Sequence, residues 1–425
     1  MSATLLASVH KRGTATGRRP VAPNQATDQV TDEATAVRAA IEELFAAHPP
    51  ADTPHREFWG AQYDAGLAWV HFPEGAGGLG VSPRWQAEVD RRITEAGGST
   101  RNRAFNVIGV GMGAGTILAY GSDDDVQRYL RPMFTGEEIW CQLFSEPGAG
   151  SDLAALSTTA VREGDTWIVN GQKVWTTLGH LASFGLLVTR TDPDLPKHAG
   201  LTYFIVDMRA EGVDVRPLYQ ITGDAEFNEV YFNDVRIPDA MRLGEVGQGW
   251  SVAMATLMNE RVAIGAQVQP REGGAIGHAL RAWRREGADH DPVARDQLVR
   301  YWIEAEALRL TIIRGNEARQ KGTPGPEGST AKLHWADLNK KITTFAVDLL
   351  GAEGMTYPDG YEFTRPDESS NRTEDVHKAF LRARANSIEG GTSEIMKNIL
   401  GERVLGLPGE PRVDKNVPWR EVPRS

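Results

Sequence analysis

The residues best suited to chemistry fall in two stretches, Leu143-Phe144-Ser145-Glu146-Pro147-Gly148-Ala149-Gly150-Ser151-Asp152 and Lys173-Val174-Trp175-Thr176-Thr177. Proline and glycine over Pro147 to Gly150 predict a tight turn. There, backbone amides can approach a ligand closely, with the hydroxyls of Ser145 and Ser151 on either side. Strand periodicity puts Trp175 and Thr177 on one face, pairing a wide aromatic surface with a hydroxyl, which suits a planar heteroaromatic ring. Each piece also has a plain structural reading, as a turn between strands and as a core tryptophan.

A third motif is a decoy. Gly75-Ala76-Gly77-Gly78-Leu79-Gly80 satisfies GxGxxG and follows a short apolar run, Ala68 to Phe72. A helical pattern precedes that run, no alternating strands and helices follow, and no acidic residue ends a second strand at dinucleotide spacing. A dinucleotide role is therefore not expected here.

Three blocks of periodicity must position these residues. From Asp32 the pattern is helical, with Val37, Ile41, Leu44 and Phe45 on one face, and further helices are expected over His55 to Ala65 and Pro83 to Ala96, with Ser82 as the N-cap of the latter. Between Gln142 and Arg242 the period becomes two, as in TWIVNGQKVWTT, LTYFIVDM and NEVYFNDVRIP, with turn signals such as Asn170-Gly171. After Gly249 the helical period returns, with one stripe through Leu298, Trp302, Ala305 and Ile312 and another through Leu338, Ile342, Phe345 and Leu349. DGYEFTRPDESSNRTED reads as a polar, turn-rich insertion. The expected organisation is α+β: a flexible tail over 1–30, a helical domain over 31–141, an antiparallel β domain over 142–245, and a helical bundle with its tail over 246–425.

Composition bounds the function. A chain of 425 residues with 40% hydrophobic residues should form two or three packed units. The single cysteine, Cys141, has no partner for an internal disulfide and no metal-ligand spacing, which fits a reducing cytoplasm. No apolar run approaches the roughly 18 to 20 residues needed to span a bilayer. The basic, Ser/Thr-rich start reads as a frayed tail, although a mitochondrial presequence has the same composition. Net charge is −11 with arginines interspersed among carboxylates, so no nucleic-acid footprint is present.

SEPGAGSD followed by KVWTT resembles the FAD-binding signature of the acyl-CoA dehydrogenase family. The similarity continues through EFNEVYFNDVRIP, the Gly247-Gln248-Gly249-Trp250 turn and GGTSEIMKNILGERVLG, and so covers essentially the whole chain beyond its first thirty residues. The resemblance implies an N-terminal helical domain, a middle antiparallel β domain and a C-terminal four-helix bundle. It also implies that Leu143, Phe144 and Ser145 line the flavin, that Trp175 and Thr177 cover the isoalloxazine ring, and that Ser151 touches the CoA portion of the substrate.

Dehydrogenation of a thioester needs a carboxylate over the α carbon, because the weakly acidic α C–H must lose its proton as hydride leaves the β carbon for the flavin. Where family members carry this base in a Tyr-Glu-Gly-Thr motif, the matching position here is Gly390. Glu389, one residue earlier, is one alternative. Isovaleryl-type and long-chain-type members carry the base on the first bundle helix in a Glu-Arg pair, which Glu260-Arg261 resembles, and Glu260 is the leading candidate. A solvated Glu260 and no base at all is the third reading. Arg261 matches a family arginine near the CoA diphosphate or the base.

Family FAD sites are shared between subunits. Arg271 stands where an Arg-x-x-Phe-Gly motif is expected, although REGGAIG lacks the aromatic. Asp348 opens Asp348-Leu349-Leu350-Gly351-Ala352 in place of a Gln-x-x-Gly-Gly pattern that meets the adenine half, where a carboxylate would repel a pyrophosphate unless turned away or paired. Thr392 and Glu394 keep the family pattern at the adenosine end.

These features together imply a cytoplasmic FAD-dependent oxidoreductase of lipid metabolism. It would be a homo-oligomer, dimer or tetramer, built on the bundle. It would convert an acyl-CoA or carrier-bound acyl thioester to the trans-2-enoyl form and pass electrons to an external acceptor of the electron-transfer flavoprotein kind. Two rivals are a flavin oxidase or monooxygenase on the same fold, and a non-catalytic subunit that supplies half of a flavin site within a hetero-oligomer.

Overall fold

The computed structural model describes residues 23–265, 268–285, 291–320, 327–357, 363–366, 375–412 and 414–422, with backbone alone at 23–30, 259–265, 319–320 and 327. The chain divides into two compact units, one of residues up to 103 with 114–138, the other of residues 104–113 with the chain from 139 onward.

The first unit is helical: α1 (Pro23–Ala47), α2 (His55–Asp64) and α3 (Gln86–Glu95) come first. After a short turn of helix, α4 (Asn102–Phe105), where the chain passes to the second unit, α5 (Ala114–Tyr120) and α6 (Asp123–Thr135) complete it. Val37, Ile41 and Leu44 of the expected apolar face are buried and Phe45 half-buried. A reciprocal cap starts α6: the Ser122 hydroxyl accepts from the Asp125 amide, and the Asp125 carboxylate accepts from the Ser122 amide. Ser82 occupies the expected N-cap position, but its side chain makes no capping bond, and Pro83–Trp85 form a 3-10 turn before α3. The GxGxxG segment is a loop. The amides of Ala68 and Trp69 both donate to the Gly77 carbonyl, and a Cβ on Gly77, whose φ is +81°, would come 2.6 Å from the Tyr63 ring. Packing against that tyrosine accounts for this glycine without a nucleotide.

The second unit opens its sheet with β1 (Trp140–Leu143), β2 (Thr159–Glu163), β3 (Thr166–Thr177) and β4 (Phe184–Arg190). It continues with β5 (Leu201–Asp207), β6 (Val213–Leu218), β7 (Phe227–Pro238) and β8 (Arg242–Leu243). Strand order is β6-β7-β3-β2-β4-β5-β8, with β1 attached to β4. The expectation of a purely antiparallel domain needs one correction: β1 pairs with β4 in parallel, and so does β2 through the single pair Thr159 and Arg190. A parallel pair requires a long connection, and the β2–β3 hairpin lies within the chain that links β1 to β4. Inward residues of β1, β3, β5 and β7, among them Leu143, Trp167, Val169, Phe204, Val230 and Phe232, form one core cluster.

Helices follow the sheet: α7 (Gly249–Gly265), α8 (Ala275–Arg285), α9 (Pro292–Gln320), α10 (Glu327–Asp348), α11 (Val376–Ala383) and α12 (Ser393–Ile399). Ile276 and Ala279 of α8, Leu298 of α9 and Leu338, Ile342 and Ala346 of α10 make one core, with Trp302, Ala305 and Phe345 packed against it. Most of the two expected stripes thus meets face to face.

Candidate active site

The turn after β1 closes as its composition predicts: Glu146 and Ala149 exchange backbone hydrogen bonds of 3.0 Å around Pro147 and Gly148. Leu143 and Phe144 are buried, Ser145 is half-buried and Ser151 exposed. Gly148 and Gly150 have no positive φ, and among the described residues a Cβ on either would meet no atom within 4 Å. Among the described residues, no contact requires glycine at these two positions.

A buried ion pair fixes this turn from beneath. The Lys173 ammonium donates to Glu146 at 2.8 Å and to the Phe144 carbonyl at 3.0 Å, with the lysine side chain fully buried. The other demands of the Glu146 carboxylate are met by the amides of Ser157 at 2.6 Å and Thr158 at 2.9 Å. Burial pushes the Glu146 carboxyl up, but Lys173 and these donors outweigh it and hold the group below its ordinary range. The Val174 amide then donates to the Ser145 carbonyl at 2.9 Å, which sets the turn beside β3.

At that point β3 breaks its register. The pairing with β7 shifts between Lys173 and Thr176, and Trp175 sits at φ +62°, a conformation rare for a large side chain and otherwise taken by glycine in one type of bulge. The bulge throws the indole outward, 56% exposed between buried Val174 and Thr176, with Thr177 half-buried beyond. The Trp175 ring meets Phe227 edge-on at 5.7 Å, and the Arg382 guanidinium lies 5.8 Å from the Phe227 ring. Arg382 in turn holds Glu389 through two bonds, of 3.1 and 2.7 Å, while Asn386 donates to the same carboxylate at 2.8 Å. Fully buried Glu226 approaches the Arg382 Nε to 3.5 Å. Trp175 and Glu389 therefore belong to one contiguous set, linked through Phe227 and Arg382.

Other expected site residues stand apart from that set. Arg271 lies over Trp302 at 5.1 Å and 3.9 Å from Glu306, on α9. Asp348 is exposed at the C-terminal end of α10, where a negative charge opposes the helix dipole. Thr392 caps α12, its hydroxyl accepting from the Ile395 amide, and Glu394 is exposed in the first turn. Glu260 and Arg261 belong to α7, but their side chains lie outside the described residues. The sequence reading missed Lys173, Glu146 and Arg382 as organisers. Period-two alternation from the buried Trp167 and Val169 places Lys173 on the inner side of β3, which was the available signal.

Three family models match consecutive parts of the chain: the acyl-CoA dehydrogenase N-terminal domain over residues 27–137, the middle domain over 141–235 and the C-terminal domain over 247–405. Among relatives, the chain is 39% identical over 351 residues to the acyl-CoA dehydrogenase IpdE1 of Mycobacterium tuberculosis, covering 82% of this chain and 86% of that one. It is 31% identical over 379 residues to the human short-chain specific acyl-CoA dehydrogenase, mitochondrial, covering 86% and 87%. Among solved structures it resembles the ChsE4-ChsE5 complex from Mycobacterium tuberculosis, with a TM-score of 0.65, 27% identity and coverage of 93% and 100%.

Proposed function

The chain belongs to the acyl-CoA dehydrogenase family, and from that premise we propose that it binds FAD and oxidises an acyl-CoA, or a carrier-bound acyl thioester, to its trans-2-enoyl form. The observation that carries this reading is the Trp175 bulge: an indole held outward beside the half-buried hydroxyls of Ser145 and Thr177 is a platform shaped for a planar ring. Open space over Gly148 and Gly150 supports the same reading, since a bound group could approach bare backbone there. Bound FAD would supply the hydride acceptor. Leu143, Phe144 and Ser145 would line its ring system, with Thr392 and Glu394, and Arg271 and Asp348 from a neighbouring subunit, toward its other half. Ser151 would meet the CoA portion of the substrate, with Arg261 near its diphosphate or the base.

For the α proton we assign Glu260. Gly390 carries no side chain, and both oxygens of Glu389 already accept from Arg382 and Asn386, contacts with which a substrate proton would have to compete. We assign the protein to the cytoplasm, with electrons leaving to an electron-transfer flavoprotein-like acceptor. Among the described residues, no helix is long and apolar enough to cross a membrane. Assembly through the bundle is supported by Val299, Ile303 and Leu310, an exposed apolar row along α9. The neighbour is a second copy or a paralogous chain, and the mass of the native particle decides between them.

Anaerobic titration with an acyl-CoA panel, following bleaching of the flavin absorbance, tests the reaction. Bleaching in the wild type that disappears in Glu260→Gln with FAD still bound is the expected result. A wild type that holds FAD and is bleached by no acyl-CoA overturns the dehydrogenase reading.

A further inference from the structure

The C-terminal tail runs beyond the family match, which stops at residue 405, and returns to the β domain. Pro196 and Pro418 form an isolated bridge, the Trp419 amide donates to the Leu195 carbonyl at 2.9 Å, and the Arg420 amide donates to the Pro193 carbonyl at 3.1 Å. Arg420 also pairs with Asp194 at 2.7 Å. These contacts seat the tail on the loop between β4 and β5.

From that seat the tail grips the segment that follows Ser151. The Trp419 indole, 8% exposed, donates to the Ala155 carbonyl at 3.1 Å. Its ring lies 4.7 Å from the Arg190 guanidinium, and Arg190 donates to the Ala154 carbonyl. On the other side the buried Lys197 ammonium bridges two carboxylates, Asp152 at 2.7 Å and Asp414 of the tail. Carbonyls 154 and 155 and the Asp152 side chain are therefore tied, directly or through Arg190 and Lys197, to residues more than two hundred positions later in the chain. Ser151 itself is exposed at the edge of this clamped segment.

We infer that the tail from Asp414 to Val422 is a positioning strap that presets the Ser151 turn for the CoA portion of the substrate. This rests on the assignment of Ser151 to the CoA site made above. Its physical basis is preorganisation: a turn already held in its binding geometry loses less conformational freedom when the ligand arrives. The strap acts through Lys197 and the backbone, so it should govern substrate binding rather than the chemical step.

The test is the double variant Asp414→Asn/Trp419→Phe, which removes the Asp414 charge that pairs with Lys197 and the indole donor while keeping an aromatic ring. Amide hydrogen exchange over residues 148–156 and binding of coenzyme A itself by calorimetry are measured on the flavin-loaded protein. Loss of these bonds should speed exchange there and weaken CoA binding by about three- to tenfold, with a matching rise in KM, and kcat and bound FAD unchanged. Unchanged exchange overturns the strap, and so does faster exchange with unchanged CoA affinity. FAD lost in proportion to CoA binding also overturns it, because general loosening of the β domain would do the same. If no acyl-CoA bleaches the wild-type flavin while the variant still binds CoA more weakly, the dehydrogenase reading falls and the strap stands.

Discussion

The Lys173 ammonium lies 2.8 Å from the Glu146 carboxylate, with the lysine fully buried and the glutamate 7% exposed, directly under the turn that carries Ser145. Removing one member of such a pair strands the other charge in the interior, at a cost of about 3 to 5 kcal/mol. Lys173→Met should lower unfolding free energy by that order and release FAD, since the Phe144 carbonyl loses its donor too. The double change Lys173→Met/Glu146→Leu should destabilise less than the single one. Urea unfolding of the three proteins checks the order, and a double variant weaker than the single would show that the pair is not isolated.

Acid should loosen the β domain through a second carboxylate. Hydrogen bonds from Arg242 and Trp167 hold the Asp239 carboxyl down at about 2, from an ordinary 3.8. A depressed folded value means the stabilisation is present above the unfolded value and is lost as pH falls through the folded one, here between about pH 4 and pH 2. Urea midpoints should therefore fall across that window, and Asp239→Asn should flatten part of the slope. Glu146, held low by Lys173 against its burial, supplies a remainder of the same sign. A variant as acid-sensitive as the wild type would assign the whole slope elsewhere.

Trp175 offers the cleanest probe of the proposed flavin platform, because its ring is mostly outside the protein core. Truncation to alanine should leave unfolding almost unchanged yet weaken FAD by about three- to tenfold, the worth of one stacked aromatic contact. Trp175→Phe should recover most of that loss. Flavin fluorescence during reconstitution of the apoprotein reads both numbers. Equal FAD affinity in the wild type and the alanine variant would remove Trp175 from the site.

Much of this was legible locally, and the rest was long-range. Val37, Ile41 and Leu44 declared a buried helix face because burial on a helix repeats with its own turn. Trp175 was recognisable as a strand aromatic, but alternation carries no sign of a positive φ, so the bulge that exposes it was not. The parallel attachment of β1 was equally hidden, since strand pattern does not encode partner or direction. Lys173 finds Glu146 from 27 residues away and Lys197 finds Asp414 from 217, distances at which periodicity says nothing. Arg382 and Glu389, only seven residues apart, were obscured because α11 ends at Ala383 and a 3-10 turn over Arg384–Ser387 brings them together.

That local turn also separates the two candidate bases. Glu389 accepts two hydrogen bonds from Arg382, whose Nε lies 3.5 Å from the buried Glu226, so the Glu389 charge helps to balance an arginine that is only 9% exposed. On the proposed reading, a carboxylate in that role stabilises the fold and Glu260 takes the substrate proton. Glu389→Gln should therefore cost about 1.5 to 3 kcal/mol, as expected for a hydrogen bond between charged groups. Its kcat should stay within a few-fold of the wild type. Glu260→Gln should do the reverse, leaving stability in place while kcat falls by about 10²- to 10⁴-fold, the usual contribution of a positioned general base. Single-turnover flavin reduction and urea unfolding on both variants separate the roles. If reduction collapses in Glu389→Gln and survives in Glu260→Gln, the base is Glu389, and Arg382 must release it when substrate binds.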